Sequence, residues 1–245
     1  MPAKYVYGIV TASTPVPDCA GIGGAALEIV ADPELAALVS DVPAAEIAMG
    51  RDALTAHARV LEAALAQGTV LPMRFGVVMS DAEEIAAELL SGRRDELAQQ
   101  LNDMAGKVEL TLRATFEEAA VLAEIVREDQ DVARLRESLR DADRDASYYG
   151  QIRLGELVSQ ALERKREAEA AEMLTVLEPL TLASRVSDPP HERVVLTASF
   201  LVERARLAEF DEAVDRIGEA QAARMRFTYT GPLPPYSFVS LAQGV

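Results

Sequence analysis

The feature that most constrains this chain is a helical pattern set between two strand patterns near its end. In residues 207–220, Leu207, Phe210, Val214 and Ile217 recur at spacings of three and four, which places them on one face of a helix. Residues 194–203 before it are a run rich in valine, leucine and phenylalanine. After it, Met225, Phe227 and Tyr229 alternate with Arg226, Thr228 and Thr230, the period of a strand. Such a succession needs a sheet with a helix laid against it, so neither an all-helical nor an all-strand chain fits.

The order extends upstream. Val108, Leu110 and Leu112 alternate with Glu109, Thr111 and Arg113, the pattern of a strand with one wet face. A helical pattern follows over residues 117–177, broken around 141–150, and a short strand is expected near 184–186. Residues 106–231 then read βαββαβ, a ferredoxin-like domain with an enlarged first crossover. In the later part of that crossover Ile152, Leu157, Val158, Leu162, Met173, Leu174 and Leu177 are spaced for a helical hairpin or short coiled coil. The heptad is too brief to imply a dimeric coil.

The first part of the chain is α+β as well, with a less legible strand order. Tyr5, Tyr7 and Ile9 alternate with Val6, Gly8 and Val10, so both faces are apolar and the strand is an inner one. Pro15 and Pro17 end it, and glycines at 21, 23 and 24 make a loop. Short strands are expected at 27–30 and 35–39, the second also readable as a helical turn. A helix over 52–66 carries Leu54, Ala58, Leu61 and Leu65 on one face and stops at Gly68. A strand over 70–75 contains Pro72, which points to an edge or a bulge. Ser80 is expected to cap the next helix, whose apolar stripe is Ile85, Leu89, Leu90, Leu97 and Leu101, with a break near Gly92. Two domains result: residues 1–105, and residues 106–245 with a helical insertion at about 117–180 and a proline-rich tail at 231–245.

Charge and cysteine content narrow the functions. The 245 residues carry a net charge of −16, which repels nucleic acid and anionic membranes. No apolar run approaches the roughly 20 residues of a membrane span. Cys19 is the single cysteine and His57 and His191 are the only histidines, so no intrachain disulfide forms and a classical zinc site is not expected. Residues 21–26 formally fit a dinucleotide fingerprint, but prolines separate them from the preceding strand and a strand-like stretch follows, so a loop between strands is expected. Cys19 lies beside Asp18, which raises rather than lowers a thiol pKa. His57 reads as a hydrogen-bonded packing residue and His191 as a loop residue. The acid pairs Glu83-Glu84 and Glu117-Glu118 sit near helix starts, where the helix dipole accounts for them. Arg74, within an apolar strand beside Phe75, calls for a carboxylate or for an anion or partner contact. No catalytic, cofactor or metal set assembles from these residues, and the chain is not expected to be an enzyme.

Three segments resemble one family. Tyr5-Val6-Tyr7-Gly8-Ile9-Val10 looks like the first strand of the gas-vesicle F/L proteins. His57-Ala58-Arg59-Val60-Leu61-Glu62, with Val70-Leu71-Pro72-Met73-Arg74-Phe75-Gly76, looks like their central helix and the strand after it. Tyr229-Thr230-Gly231-Pro232-Leu233-Pro234-Pro235-Tyr236-Ser237-Phe238-Val239 is similar to their carboxy-terminal signature, although Leu233 stands where tryptophan is common. The resemblance implies two modified ferredoxin-like domains, the second with a long helical, coiled-coil-like insertion. It implies a minor structural or assembly protein located at the gas vesicle, within the cytoplasm. Its implied partners are the small hydrophobic major shell protein and other minor gas vesicle proteins.

The residues themselves add a physical point about the tail. Gly231 and the prolines at 232, 234 and 235 stiffen an extended segment, so Tyr236 and Phe238 can be held against another surface at low entropic cost. That surface is either the chain's own domains or a partner. Two other functions stay open at this point. A closed pocket gathering Arg74, His57 and an acid would favour a small-molecule-binding or catalytic ferredoxin-like protein. A continuous exposed apolar stripe along residues 150–180 would favour a helical-hairpin adaptor.

Overall fold

The computed structural model describes residues 2–43, 48–140 and 144–240. The fold is α+β, with two compact units. The first comprises Met1–Glu109, Glu203–Ala205 and Gly231–Val245, and the second Leu110–Val202 and Arg206–Thr230. The tail thus packs with the first unit, not with the second as its place in the sequence suggests. Its anchor, Glu109, also belongs to the first unit.

In the first unit, β1 (Ala3–Thr11) lies between β3 (Leu35–Val42) and β4 (Leu71–Pro72), with β2 (Leu27–Ala31) outside β3, and every pairing is antiparallel. Residues 5–10 are all buried, as befits an inner strand covered on both faces. One face packs Val6, Ile9, Leu35 and Val39 against Ile85, Leu89, Leu90, Leu97 and Leu101. The first three of these last come from a π-helical stretch Ile85–Leu90 that follows α2 (Ala82–Glu84), and the other two from α3 (Arg94–Asp103), which follows a 3-10 turn Ser91–Arg93. The expected break near Gly92 is that 3-10 turn. The cap sits one residue later than Ser80. Glu84 N donates to Asp81 Oδ1 at 2.9 Å, while Ser80 N donates back to Glu84 at 2.6 Å, a reciprocal box.

The other face meets α1 (Arg51–Gln67), which buries His57, Val60, Leu61, Ala64 and Leu65. Leu54, expected on that face, is 41% exposed, and His57 takes the inward position at the same end of the helix. The strand expected over 70–75 is an interrupted edge. Gly8 and Ile9 pair with β4, and Lys4 and Tyr5 pair further along with β5 (Val78–Met79). Between them the chain turns outward through Gly76, whose φ of 97° lies in the region a side chain resists.

The second unit holds a four-stranded sheet in the order β7-β8-β6-β9, from β6 (Lys107–Phe116), β7 (Ala183–Val186), β8 (Val194–Glu203) and β9 (Met225–Leu233). Counted along the chain, both units set their strands as second, third, first, fourth. The crossover from β6 to β7 contains α4 (Glu118–Glu128), α5 (Gln130–Arg140) and α6 (Arg144–Leu177), and α7 (Leu207–Gln221) joins β8 to β9. Of the break expected at 141–150, residues 141–143 lie outside the described residues, and the chain is helical from Arg144.

The apolar stripe of α6 faces its own unit. Ala161, Leu162, Met173 and Leu177 are buried in the core with Val121, Ile125, Val132 and Phe210, and Leu154, Leu157, Val158 and Leu174 pack against it. The exposed side between residues 156 and 172 is dominated by charged residues, so no continuous stripe is left for an adaptor role. Glu124, 9% exposed, is held by Arg224 and by Lys165 at 3.2 Å, and Arg224 also binds Glu169 at 2.6 Å.

Candidate functional site

Tyr5 and Tyr7 project from β1 toward α1, where His57 and Phe75 complete an aromatic cluster. The ring centroids of Tyr5 and Tyr7 are 4.8 Å apart, those of Tyr7 and His57 5.8 Å, and those of Tyr5 and Phe75 5.9 Å. Both tyrosine rings are fully buried, so each hydroxyl requires a partner. Tyr7 Oη accepts from Ile22 N at 2.7 Å and bonds Ser40 Oγ at 2.9 Å. The bond to Ile22 fixes the glycine loop against the sheet, and a methyl group on Gly21 would stand 2.4 Å from Tyr7 Oη. The glycines at 21–24 therefore serve close approach to a tyrosine, and no nucleotide-style strand-to-helix turn is present: a 3-10 turn at Ile22–Gly24 leads into strand β2.

Tyr5 Oη accepts from Gly76 N at 3.1 Å, which ties the outward turn to the cluster, and bonds His57 Nδ1 at 2.9 Å. With Gly76 as donor, the tyrosine proton is free for Nδ1, which leaves the imidazole proton on Nε2. His57 is 5% exposed and Nε2 lacks a well-formed hydrogen bond. Burial pushes the His57 pKa down, and the Met73 carbonyl opposes part of that shift. Burial also pushes Tyr5 up to about 12, against the lowering effect of the Gly76 N–H.

The tail closes over this region. Pro234 and Pro235 are buried, Ser237, Phe238 and Val239 are half-buried, and Val239 packs against the first-unit core. Ser237 donates twice to Glu109, from N to Oε2 at 2.7 Å and from Oγ to Oε1 at 2.6 Å. Glu109 is only 3% exposed, so the alternation that reads it as wet fails at this residue: the tail, not water, satisfies the carboxylate. Tyr236 is 40% exposed overall. Its phenol end is enclosed, and burial, with Glu62, Tyr5 and Glu109 nearby, drives its pKa well above the ordinary tyrosine value.

The residues singled out in the sequence occupy different positions. Phe75 packs against Tyr5, with ring centroids 5.9 Å apart. Arg74 lies beyond the end of β4, is exposed, and forms no ion pair among the described residues. The apolar run around it suggests burial, but the outward turn at Gly76 removes it. His191 is exposed in a turn. The Cys19 thiol is pushed up chiefly by burial, with Arg59 opposing and Asp18 adding. Glu109 and Ser237 carry no local sequence signal of their pairing.

Among the described residues no group of three or more His, Cys, Asp or Glu is placed to hold a metal, and no helix is long and apolar enough to cross a membrane. Grooves of about 440 Å³ and 260 Å³ lie between helices of the second unit, and neither Arg74 nor His57 lines them.

Two sheets in a shared strand order, one of them strapped by the chain's own tail, make this a two-unit α+β protein. The chain belongs to the gas vesicle synthesis protein GvpL/GvpF family, whose model matches residues 3–240. It is 36% identical over 243 residues to gas vesicle protein F of Streptomyces sp. (strain CB03234), covering 97% of this chain and 99% of the relative. Gas vesicle protein L of the same strain is 30% identical over 259 residues, covering 98% and 94%. The crystal structure of GvpF from Anabaena sp. PCC7120 shares the fold with a TM-score of 0.81 at 23% identity, covering 99% of this chain and 98% of that one. GvpF from Microcystis aeruginosa gives 0.79 at 21% identity, covering 97% and 99%.

Proposed function

We propose that this chain is a minor structural or assembly protein of gas vesicles that binds the small hydrophobic shell protein while vesicles form. The observation that carries the reading is the family match over residues 3–240. Both units are read as modified ferredoxin-like domains, because each sheet sets its strands as second, third, first, fourth. The reading is binding: among the described residues, the buried His57 and the exposed Arg74 lie apart in environment, and no acid joins them in a pocket. The gas vesicle, and through it the cytoplasm, is the place of action.

Arg74, Phe75, Tyr236 and Phe238 are the proposed structural or partner-contact side chains, and of these Arg74 and Tyr236 are exposed. Arginine brings an apolar stem with a charged end, and the exposed part of the Tyr236 ring brings apolar area, which suits the centre of an interface. The net charge of −16 keeps the carrier soluble while it holds an apolar building block. Removal of the chain from a vesicle-forming cell tests the role. Loss or thinning of vesicles in electron micrographs is expected, and an unchanged vesicle yield would overturn it.

A further inference from the structure

We propose that the groove between α6 and α7 takes one amphipathic helix of a protein partner, with a lysine or arginine on its Glu172 side and an aspartate or glutamate on its Arg216 side. The groove belongs wholly to the second unit, whereas Arg74, Phe75, Tyr236 and Phe238 belong to the first. The inference therefore stands whether or not the shell protein binds through those side chains.

The floor is apolar. Met173 and Val176 of α6, with Ala213, Ile217 and Ala220 of α7, line a space of about 260 Å³. Met173 and Ala213 are buried, Ile217 is half-buried, and Val176 is 46% exposed. Alanine at 213 and 220 fills little of the space between the two helices. A bridge closes one end: Glu169 binds Arg224 at 2.6 Å and accepts from Gln221 Nε2 at 3.4 Å.

Shape selects the occupant. The volume lies below the roughly 300 Å³ at which small-molecule sites begin. None of the buried side-chain atoms left without a hydrogen bond among the described residues belongs to this groove, so nothing polar is set to orient a metabolite. An extended peptide fits no better, because both walls are helices whose backbone groups bond internally and offer no strand edge. A helix brings its own backbone bonds and needs only an apolar ridge to lay between the two. Residues 169–176 and 213–220 each run about 10 Å along their axes, or two turns. The matching ridge carries apolar anchors at i, i+3 or i+4, and i+7.

Charge on the banks completes the match. Arg216 has Glu212 four residues before it and Glu219 three after, spacings at which helical ion pairs form. Arg134–Asp131, Arg140–Glu137 and Arg153–Glu156 use such a spacing on other helices of this chain. Arg216 pairs with neither acid and lines the groove instead. Glu172 has no cation three or four residues away on α6 and forms no ion pair among the described residues. An exposed acid on one bank and an exposed base on the other are thus both open to an outside partner. Exposed pairs of this kind add little affinity, which the floor supplies, but they fix the direction in which the helix lies.

The probe is a stapled, fluorescent helix of about 14 residues, with leucines at i, i+4 and i+7, lysines on one flank and glutamates on the other. Titrated with the full chain, it is expected to bind saturably. Ala220→Trp plugs the groove and Val176→Asp charges its floor, both from exposed positions, and each is expected to weaken binding at least about tenfold. A proline-interrupted peptide of the same composition is expected not to bind. A helix with glutamates on both flanks is expected to bind the wild type about fivefold less well than the mixed helix. Glu172→Lys makes both banks cationic and is expected to reverse that preference. No saturable binding to the wild type, equal binding of the proline-interrupted peptide, or affinity indifferent to both groove variants overturns the proposal. Should those two variants fail to fold, the Glu172→Lys exchange decides: a preference that does not change refutes the assignment.

Discussion

Glu109 on β6 and Ser237 in the tail, 128 residues apart in the chain, form a pair in which one serine satisfies both oxygens of a buried carboxylate. The pair explains why the tail belongs to the first unit. It also ranks the tail's polar contacts by consequence. Ser237→Ala removes the hydroxyl donor and leaves Glu109 Oε1 unsatisfied, at a cost of about 1.5–3 kcal/mol. Urea denaturation is expected to show that loss as a lower midpoint, and Ser237→Thr, which keeps the hydroxyl, to lose less.

His57 links stability to pH. Burial depresses its folded pKa, so the native state binds fewer protons than the unfolded chain, whose histidine titrates near ~6.5. Its contribution is therefore complete above that value and is lost as pH falls through the folded pKa. The variant His57→Gln keeps an acceptor for Tyr5 Oη and removes the titration. Its unfolding free energy is expected to vary less than the wild type's between about pH 7 and pH 5.

Gly21 tests the close approach of the loop to Tyr7. Gly21→Ala sets a methyl group against Tyr7 Oη and strains the bonds to Ile22 and Ser40. A loss of about 1–3 kcal/mol is expected, the range for overpacking a filled site. Thermal unfolding measures it, and a neutral effect would show that the loop yields freely.

Arg224 tests the second unit. Arg224→Met takes the arginine partner from both Glu169 and Glu124, while Gln221 still reaches Glu169 at 3.4 Å and Lys165 still reaches Glu124. Breaking such a pair costs ~3–5 kcal/mol when no cation remains, and with Lys165 in place about 2–3 kcal/mol is expected. Arg224 also pulls the Glu124 pKa below the usual carboxylate range, so the wild type's advantage over the variant should shrink as acid protonates Glu124.

The sequence is most informative where a residue's role is decided by its neighbours. Period-two and period-3.6 patterns and unbroken apolar runs identify β1, α1, β8, α7 and β9, because burial there follows from the local pattern. Pro72 marks an edge because a missing donor is a local property. Legibility ends where a distant residue decides. Glu109 reads as wet because its partner is a tail serine far along the chain. Arg74 reads as buried because the turn that expels it depends on Tyr5 binding Gly76 N. Leu54 and His57 exchange places because the tyrosines of β1 offer His57 a hydrogen bond that no helical pattern encodes.

Direct binding tests the central claim most sharply. The chain, immobilised, is offered the small hydrophobic shell protein of its own vesicles in a detergent-free titration. Saturable retention, weakened by Arg74→Glu and by Tyr236→Ala, is the expected result. No retention of the shell protein by folded chain would contradict the account.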